Sequence, residues 1–188
     1  MWVVCEDDGV VGRIDPARDR MVDQIDVGLQ PRFALFALDD LWVSNYLDST
    51  ITRIDPRSGE VLAEIVTEQG PQIMLEAGGS LWVSCTDVGV VQRIDPSTNE
   101  VVAEITTPIA PDGLAADEFT VFVATENGPQ LAAIELSDNN LVVPEAQVAD
   151  AGFITANQVM VFDFGSLWLP IFAQGVVLRV QRPVASVE

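Results

Sequence analysis

The chain has 188 residues, 48% of them apolar and 20% charged, enough to bury a core within one domain. Its 29 Asp and Glu stand against nine basic residues, all Arg, for a formal net charge of -20, which a phosphate backbone or an anionic membrane surface would repel. No apolar run reaches the roughly 18 residues of a membrane-spanning helix, so neither nucleic-acid binding nor membrane insertion is expected. The acidity reads as solubility, adaptation to a salty medium, or a cation-attracting face.

Taken in order, the elements form a repeat. Trp2, Trp42 and Trp82 are 40 residues apart, Phe122 takes the next place, and Trp168 follows after 46. Arg13-Ile14-Asp15-Pro16, Arg53-Ile54-Asp55-Pro56 and Arg93-Ile94-Asp95-Pro96 keep the same step, while Ala133-Ile134-Glu135-Leu136 and Arg179-Val180-Gln181 are degraded copies. A period of about 40 residues signals a solenoid, propeller or array.

The first unit, Met1 to Ile25, holds the second, third and fourth strands (B, C and D) of a four-stranded unit and lacks the first (A). Met1 to Cys5 is in register with Leu81 to Cys85, so no signal peptide is expected before it. In the second unit the spacing predicts strand A over Phe33–Leu38, a tight turn at Asp39-Asp40, and strand B over Leu41–Ser44. Strand C follows over Thr50–Ile54, then a turn at Pro56–Gly59 and strand D over Val61–Ile65. Pro pre-sets φ at the turn, and Gly59 or Asn99 supplies the left-handed residue. Strands A and B are almost wholly apolar and should be covered on both faces. Strand D alternates, with Val61, Ala63 and Ile65 facing one way, and should be peripheral.

The third and fourth units repeat this plan, with Pro144 tolerable only at a sheet edge, and the fifth supplies A, B and C over Val159–Arg182. The expectation is an all-β propeller of four-stranded antiparallel blades, a single domain over 1–188 of about four and a half blades. The blades fall at 1–27 (partial), 28–67, 68–107, 108–150 and 151–188 (partial). Such a ring should not close alone. Its open end would expose an apolar inter-blade face, so that either the chain is a piece of a larger propeller or two copies associate through open blade edges. Cys5 and Cys85 occupy the same place two units apart, too far for a disulfide, and are expected to be free thiols.

The units LWVSCTDVGVVQRIDPSTNEVVAEI and LWVSNYLDSTITRIDPRSGEVLAEI resemble the YVTN-type β-propeller repeat. They are also similar to streptogramin (virginiamycin B) lyases and, more distantly, to NHL repeats. The resemblance covers essentially the whole chain and implies fold more than function. For the lyases it implies a seven-bladed ring, a bound magnesium and a catalytic histidine that opens a cyclic depsipeptide ester by elimination. It also implies an extracellular or cell-surface home. This sequence contains no histidine, so that apparatus does not carry over, and Ser-His, Cys-His and Schiff-base routes are closed to the chain by itself.

What remains is carboxylate chemistry or binding. Loops joining B to C and D to A emerge on one ring face, and these supply the candidate ligand-binding residues Asp8, Arg32, Asn45, Asp48, Gln72, Asp87, Asp112 and Glu126. Asp48, Asp87, Asp112 and Glu126 are the candidates for Ca²⁺ or Mg²⁺, which need about six oxygens around one point. Turn formation alone also accounts for Asp and Asn here. The Trp series is expected in the core rather than as a sugar platform. Each of the first three repeat arginines is expected to pair with the Asp two residues on. The sequence thus favours a non-catalytic scaffold whose acidic face holds a protein, a peptide or a small ligand. The alternative is a lyase or hydrolase of the streptogramin-lyase type whose histidine lies in blades outside this chain.

Overall fold

The computed structural model describes residues 1–107, 110–125, 130–147, 160–171 and 175–181. Among them are eighteen strands in five antiparallel sheets and no helix. The first sheet comprises β1 (Trp2–Cys5), β2 (Val10–Asp15) and β3 (Arg20–Asp26). The second is built from β4 (Pro31–Ala37), β5 (Asp40–Asn45), β6 (Thr50–Ile54) and β7 (Val61–Val66). The third contains β8 (Pro71–Ala77), β9 (Ser80–Cys85), β10 (Val90–Asp95) and β11 (Glu100–Thr106). Next come β12 (Pro111–Ala116), β13 (Thr120–Thr125), β14 (Gln130–Glu135) and β15 (Leu141–Gln147), and last β16 (Val161–Asp163), β17 (Ser166–Ile171) and β18 (Val176–Gln181). Within each sheet every strand pairs with its neighbour in sequence, as short connections demand.

Four apolar clusters lie between successive sheets rather than within any one of them. Val11 and Ile25 meet Leu41, Val43 and Ile54; Trp42, Ile51 and Ile65 meet Met74, Leu81 and Val83. Trp82, Ile73 and Val91 meet Leu114, Val121 and Ile134, and Phe122 and Leu131 meet Met160, Leu167 and Leu169. Sheets packed face to face in sequence order are the blades of an incomplete propeller.

Burial departs from expectation at one inner strand. β8 and β12 are almost wholly buried, but β4 is only half-buried and its Phe36 is 63% exposed. The reason is local: β4 faces the three-stranded first sheet, which has no strand beyond β1 to cover it. In β7, Ile65 is buried while Val61 is exposed, because Leu62 is an extra, unpaired residue opposite the Arg53–Ile54 step and breaks the simple alternation. The β4–β5 turn sits one residue earlier than expected, at Leu38 and Asp39, both with left-handed φ (53° and 66°), and Asp40 opens β5.

The turns after β6 and β10 close as expected on left-handed Gly59 and Asn99 (φ 79° and 60°). Asp55 accepts the Arg57 amide at 2.7 Å and the Ser58 hydroxyl at 3.0 Å. Asp95 accepts both the hydroxyl and the amide of Ser97, at 2.7 and 2.8 Å. These donors hold both carboxyls below the usual carboxylate range. A carboxyl titrating lower in the fold than in the unfolded chain stabilises fully at neutral pH, and that contribution is lost as pH falls through the carboxylate range. The Arg57 and Ser97 amide resonances should therefore titrate with midpoints below that of a free Asp in an NMR pH series; ordinary midpoints would contradict these bonds.

The Trp and Arg series has an unexpected division of labour. Trp42 and Trp82 are fully buried, and their indole N–H groups donate to the carbonyls of Ala37 and Ala77 at 3.0 and 3.1 Å. Trp2 and Trp168, in the outermost sheets, are half-buried. Each Trp sits directly opposite a repeat Arg on the neighbouring strand. The guanidinium carbon lies over the ring at 5.8 Å for Arg13, 4.7 Å for Arg53, 5.4 Å for Arg93 and 5.5 Å for Arg179.

The arginines do not pair with the Asp two residues on, because each of those carboxylates is taken by its own turn: Asp15 accepts the Ala17 amide, Asp55 the Arg57 amide and Asp95 the Ser97 amide. Arg53 instead grips Asp40 at 2.6 Å and reaches into the next blade, donating to the Pro96 carbonyl and to Asn99 Oδ1 at 2.7 Å. Arg93 repeats the reach, to the Leu136 carbonyl at 3.2 Å and Asn139 Oδ1 at 3.0 Å. In the fourth blade Ala133 replaces the Arg opposite Phe122, and the contact to the fifth blade is a stacked ring pair, Phe122 on Phe162, with centroids 5.5 Å apart.

Candidate functional site

The candidate residues on the loop face are brought together in part. β4, β8 and β12 each begin with a buried Pro, at positions 31, 71 and 111, followed by a register shift that takes the next residue out of the ladder. That next residue is Arg32, Gln72 or Asp112, and the three join hands across blades. Arg32 Nη1 donates to Gln72 Oε1 at 3.2 Å, and Gln72 Nε2 donates to Asp112 Oδ1. Gln72 and Asp112 are buried, 3% and 1% exposed, so they act as a polar tie between blades rather than as accessible ligands.

Arg32 stands at the outer end of this chain of contacts. Its Nε lies 3.7 Å from Glu6, and its guanidinium carbon is 3.7 Å from the centre of the Tyr46 ring. Tyr46 in turn donates its hydroxyl to Asp87 Oδ1 at 2.5 Å. The result is a platform of one cation, one ring and exposed carboxylates spanning three blades. Gly70 permits it: with φ at 73°, a β-carbon there would fall 2.8 Å from the Asp87 carboxyl carbon.

The other candidates stand apart from the platform. Asp8 is exposed in the β1–β2 loop, and exposed Asp48 accepts the Leu29 amide at 2.5 Å. Asn45 is fully buried and donates to Thr50 Oγ1 and Thr52 Oγ1 at 3.0 and 2.9 Å, so it braces the loop from beneath. Its Oδ1 has no hydrogen-bond partner among the described residues. Glu126 lies outside the described residues. Among the described residues no three Asp, Glu, Cys or His side chains gather as a metal-holding group. Asp48, Asp87 and Asp112 are engaged separately with Leu29, Tyr46 and Gln72. Among the described residues they meet at no common point, as the shared magnesium that the lyase resemblance implies would require.

Sequence reasoning missed Tyr46 and Glu6 as members of the site. Tyr46 is the only Tyr of the chain and lies in a loop already singled out, but nothing in one sequence shows that Arg32, fourteen residues earlier, would stack on it. Cys85 occupies the place of Asn45 in the next blade, and burial pushes its thiol up to about 12. Both cysteines are free, Cys85 buried and Cys5 half-exposed. In the native protein at pH 8, iodoacetamide should modify Cys5 well before Cys85, as read by mass spectrometry; equal rates would contradict the burial of Cys85.

No protein-family model and no curated protein matches this chain. Solved structures do. Virginiamycin B lyase from Staphylococcus aureus superimposes with a TM-score of 0.79 at 18% identity, over 95% of this chain and 61% of the lyase. A catalytically inactive form of that lyase with quinupristin matches at 0.75 and 16%, over 100% of this chain and 68% of that one. Hydrazine synthase from Kuenenia stuttgartiensis matches at 0.72 and 14%, over 98% and 63%. The chain has the β-propeller fold. It spans about three fifths of the length of the S. aureus lyase. Because a propeller so similar in shape also belongs to a hydrazine synthase, the likeness carries architecture and leaves the chemistry to the site.

Proposed function

We propose that this propeller is a binding scaffold without catalytic activity of its own, using the loop face around Arg32, Tyr46 and Asp87 to hold a protein, peptide or small ligand. The observation that carries the reading is the Arg32–Tyr46–Asp87 platform. It pairs a partly exposed guanidinium with an aromatic face and the exposed carboxylates of Glu6 and Asp87, which is recognition chemistry. The buried Gln72 and Asp112 behind it hold Arg32 from moving, so the platform is preorganised. No histidine or lysine stands anywhere in the sequence to serve as a base near neutral pH.

The likeness to virginiamycin B lyase supports the second reading, a streptogramin-type lyase, and supplies the test. Quinupristin incubated with the chain should be recovered unchanged by liquid chromatography and mass spectrometry. In the same samples, quinupristin, CaCl₂ and MgCl₂ serve as probes of the loop face, read as amide shifts at Arg32, Tyr46 and Asp87. Saturable shifts there, abolished by Arg32→Ala, support a binding face. A ring-opened product would replace this reading by the lyase, and failure of every probe to shift these residues would remove the platform from consideration as a site for such ligands.

A further inference from the structure

The opposite ring face carries a second feature. The β8–β9, β12–β13 and β14–β15 turns enclose a groove of about 510 Å³ lined by Gly78, Glu118, Phe119, Glu135 and Leu136, among others. Its origin can be traced to one residue. Gly78 stands where Leu38 stands one repeat earlier, at nearly the same left-handed φ (58° against 53°). A β-carbon at position 78 would sit 3.5 Å from Leu136 Cδ1. With glycine there, Leu136 is left as an apolar floor that a side chain like that of Leu38 would cover. Phe119, 55% exposed, adds an apolar wall, and Glu118 and Glu135 bring carboxylates to the lining.

The protein itself shows what this rim of turns accepts. Arg53 is held there between the Asp40 carboxylate, the Pro96 carbonyl and Asn99. Arg93 ends on the Leu136 carbonyl and Asn139, beside the groove. No basic side chain among the described residues lines the groove, while the whole chain carries a formal charge of -20. An apolar floor, an exposed ring, two carboxylates and a strongly negative field complement a partner that is both basic and apolar.

We propose that the Gly78–Phe119–Leu136 groove docks a basic peptide segment of a partner protein, with an arginine beside an apolar residue. The guanidinium is held by Glu118 and Glu135, and the apolar neighbour lies on Leu136 and Phe119. This site is separate from the Arg32–Tyr46–Asp87 platform and stands or falls independently of it.

The test uses the full chain and the capped peptide Leu-Arg-Leu-Arg-Leu, with citrulline replacing arginine as the uncharged control, at physiological salt. Saturable binding by calorimetry is expected, with the largest amide shifts at Gly78, Phe119 and Leu136 and none from the citrulline peptide. The double variant Glu118→Gln/Glu135→Gln should weaken binding by roughly tenfold or more, while Glu60→Gln/Glu64→Gln, an equal change of charge on exposed positions near the β7 edge, should change it by less than about twofold. Gly78→Leu, which fills the groove with the residue carried one blade earlier, should abolish binding while the protein remains folded by circular dichroism. Equal loss in the two charge variants would reduce the interaction to diffuse attraction and overturn the proposal. So would shifts that map elsewhere, or no saturation at all.

Discussion

Replacing Trp82 by alanine should cost about 3–5 kcal/mol in chemical denaturation, the range for deleting a large aromatic from a packed core. Trp82 is fully buried between the third and fourth blades, against Leu114, Val121, Val123 and Ile134. The cavity would open at an interface between two sheets, where refilling it would require a whole blade to move against its neighbour. Trp82→Phe should cost less, about 1–2 kcal/mol, because the fourth blade already uses Phe122 at this place in the repeat. The comparison that decides is Val102→Ala, at a position 54% exposed on the peripheral β11. If Trp82→Ala were no worse than that surface change, the blades would not be held by the cores between them.

Arg53→Ala should be the second large loss, about 3 kcal/mol, since it leaves Asp40 without its cation and the Pro96 carbonyl without its donor. The Arg53 and Asp40 side chains are only 17% and 14% exposed, so water replaces the lost partner poorly. Arg93 makes the same inter-blade reach but is met on its own blade by the neutral Ser80 at 2.9 Å instead of by a carboxylate. Arg93→Ala should therefore cost less, about 1–2 kcal/mol. Asp40→Asn should remove much of the difference between the two arginines in a double-mutant cycle. Equal losses for Arg53→Ala and Arg93→Ala would show that the carboxylate contributes little and that the carbonyl and Asn contacts carry the clasp.

These two expectations explain why the strand plan was readable in advance and the clasp was not. β6 and β10 lead into their turns through the same four letters, Arg-Ile-Asp-Pro, and an alternating strand puts Arg and the following Asp on one side. That inference fails because the Asp55 carboxylate is taken by the amide and hydroxyl of its own turn, while the Arg53 guanidinium reaches Asp40 and the next blade. The asymmetry between Asp40 and Ser80 was visible as letters but had no meaning until the register placed each beside its arginine.

The loop face divides in the same way. The Pro-Arg, Pro-Gln and Pro-Asp pairs at the start of the inner strands were legible as equivalent positions, and equivalence on a ring implies nearness. The hydrogen bonds from Arg32 to Gln72 and on to Asp112 follow from it. Which of the eight candidates would be open to a ligand was not legible, because burial depends on how neighbouring blades lean together. Asn45, Gln72 and Asp112 are enclosed, while Asp8, Asp48 and Asp87 remain on the surface.

By itself the sequence determined the period, the strand boundaries of the second blade to within a residue or two and the all-β architecture, because these rest on local alternation and turn chemistry repeated every 40 residues. Only the tertiary structure decided which side chains act together, because those partnerships join residues in different repeats. Arg53 meets Asn99, Arg32 meets Gln72 and Tyr46 meets Asp87, each more than one repeat along the chain or a full repeat apart. At such separations contact is set by the packing angle of whole sheets, and that angle is a property of the assembled blades rather than of any single stretch of chain.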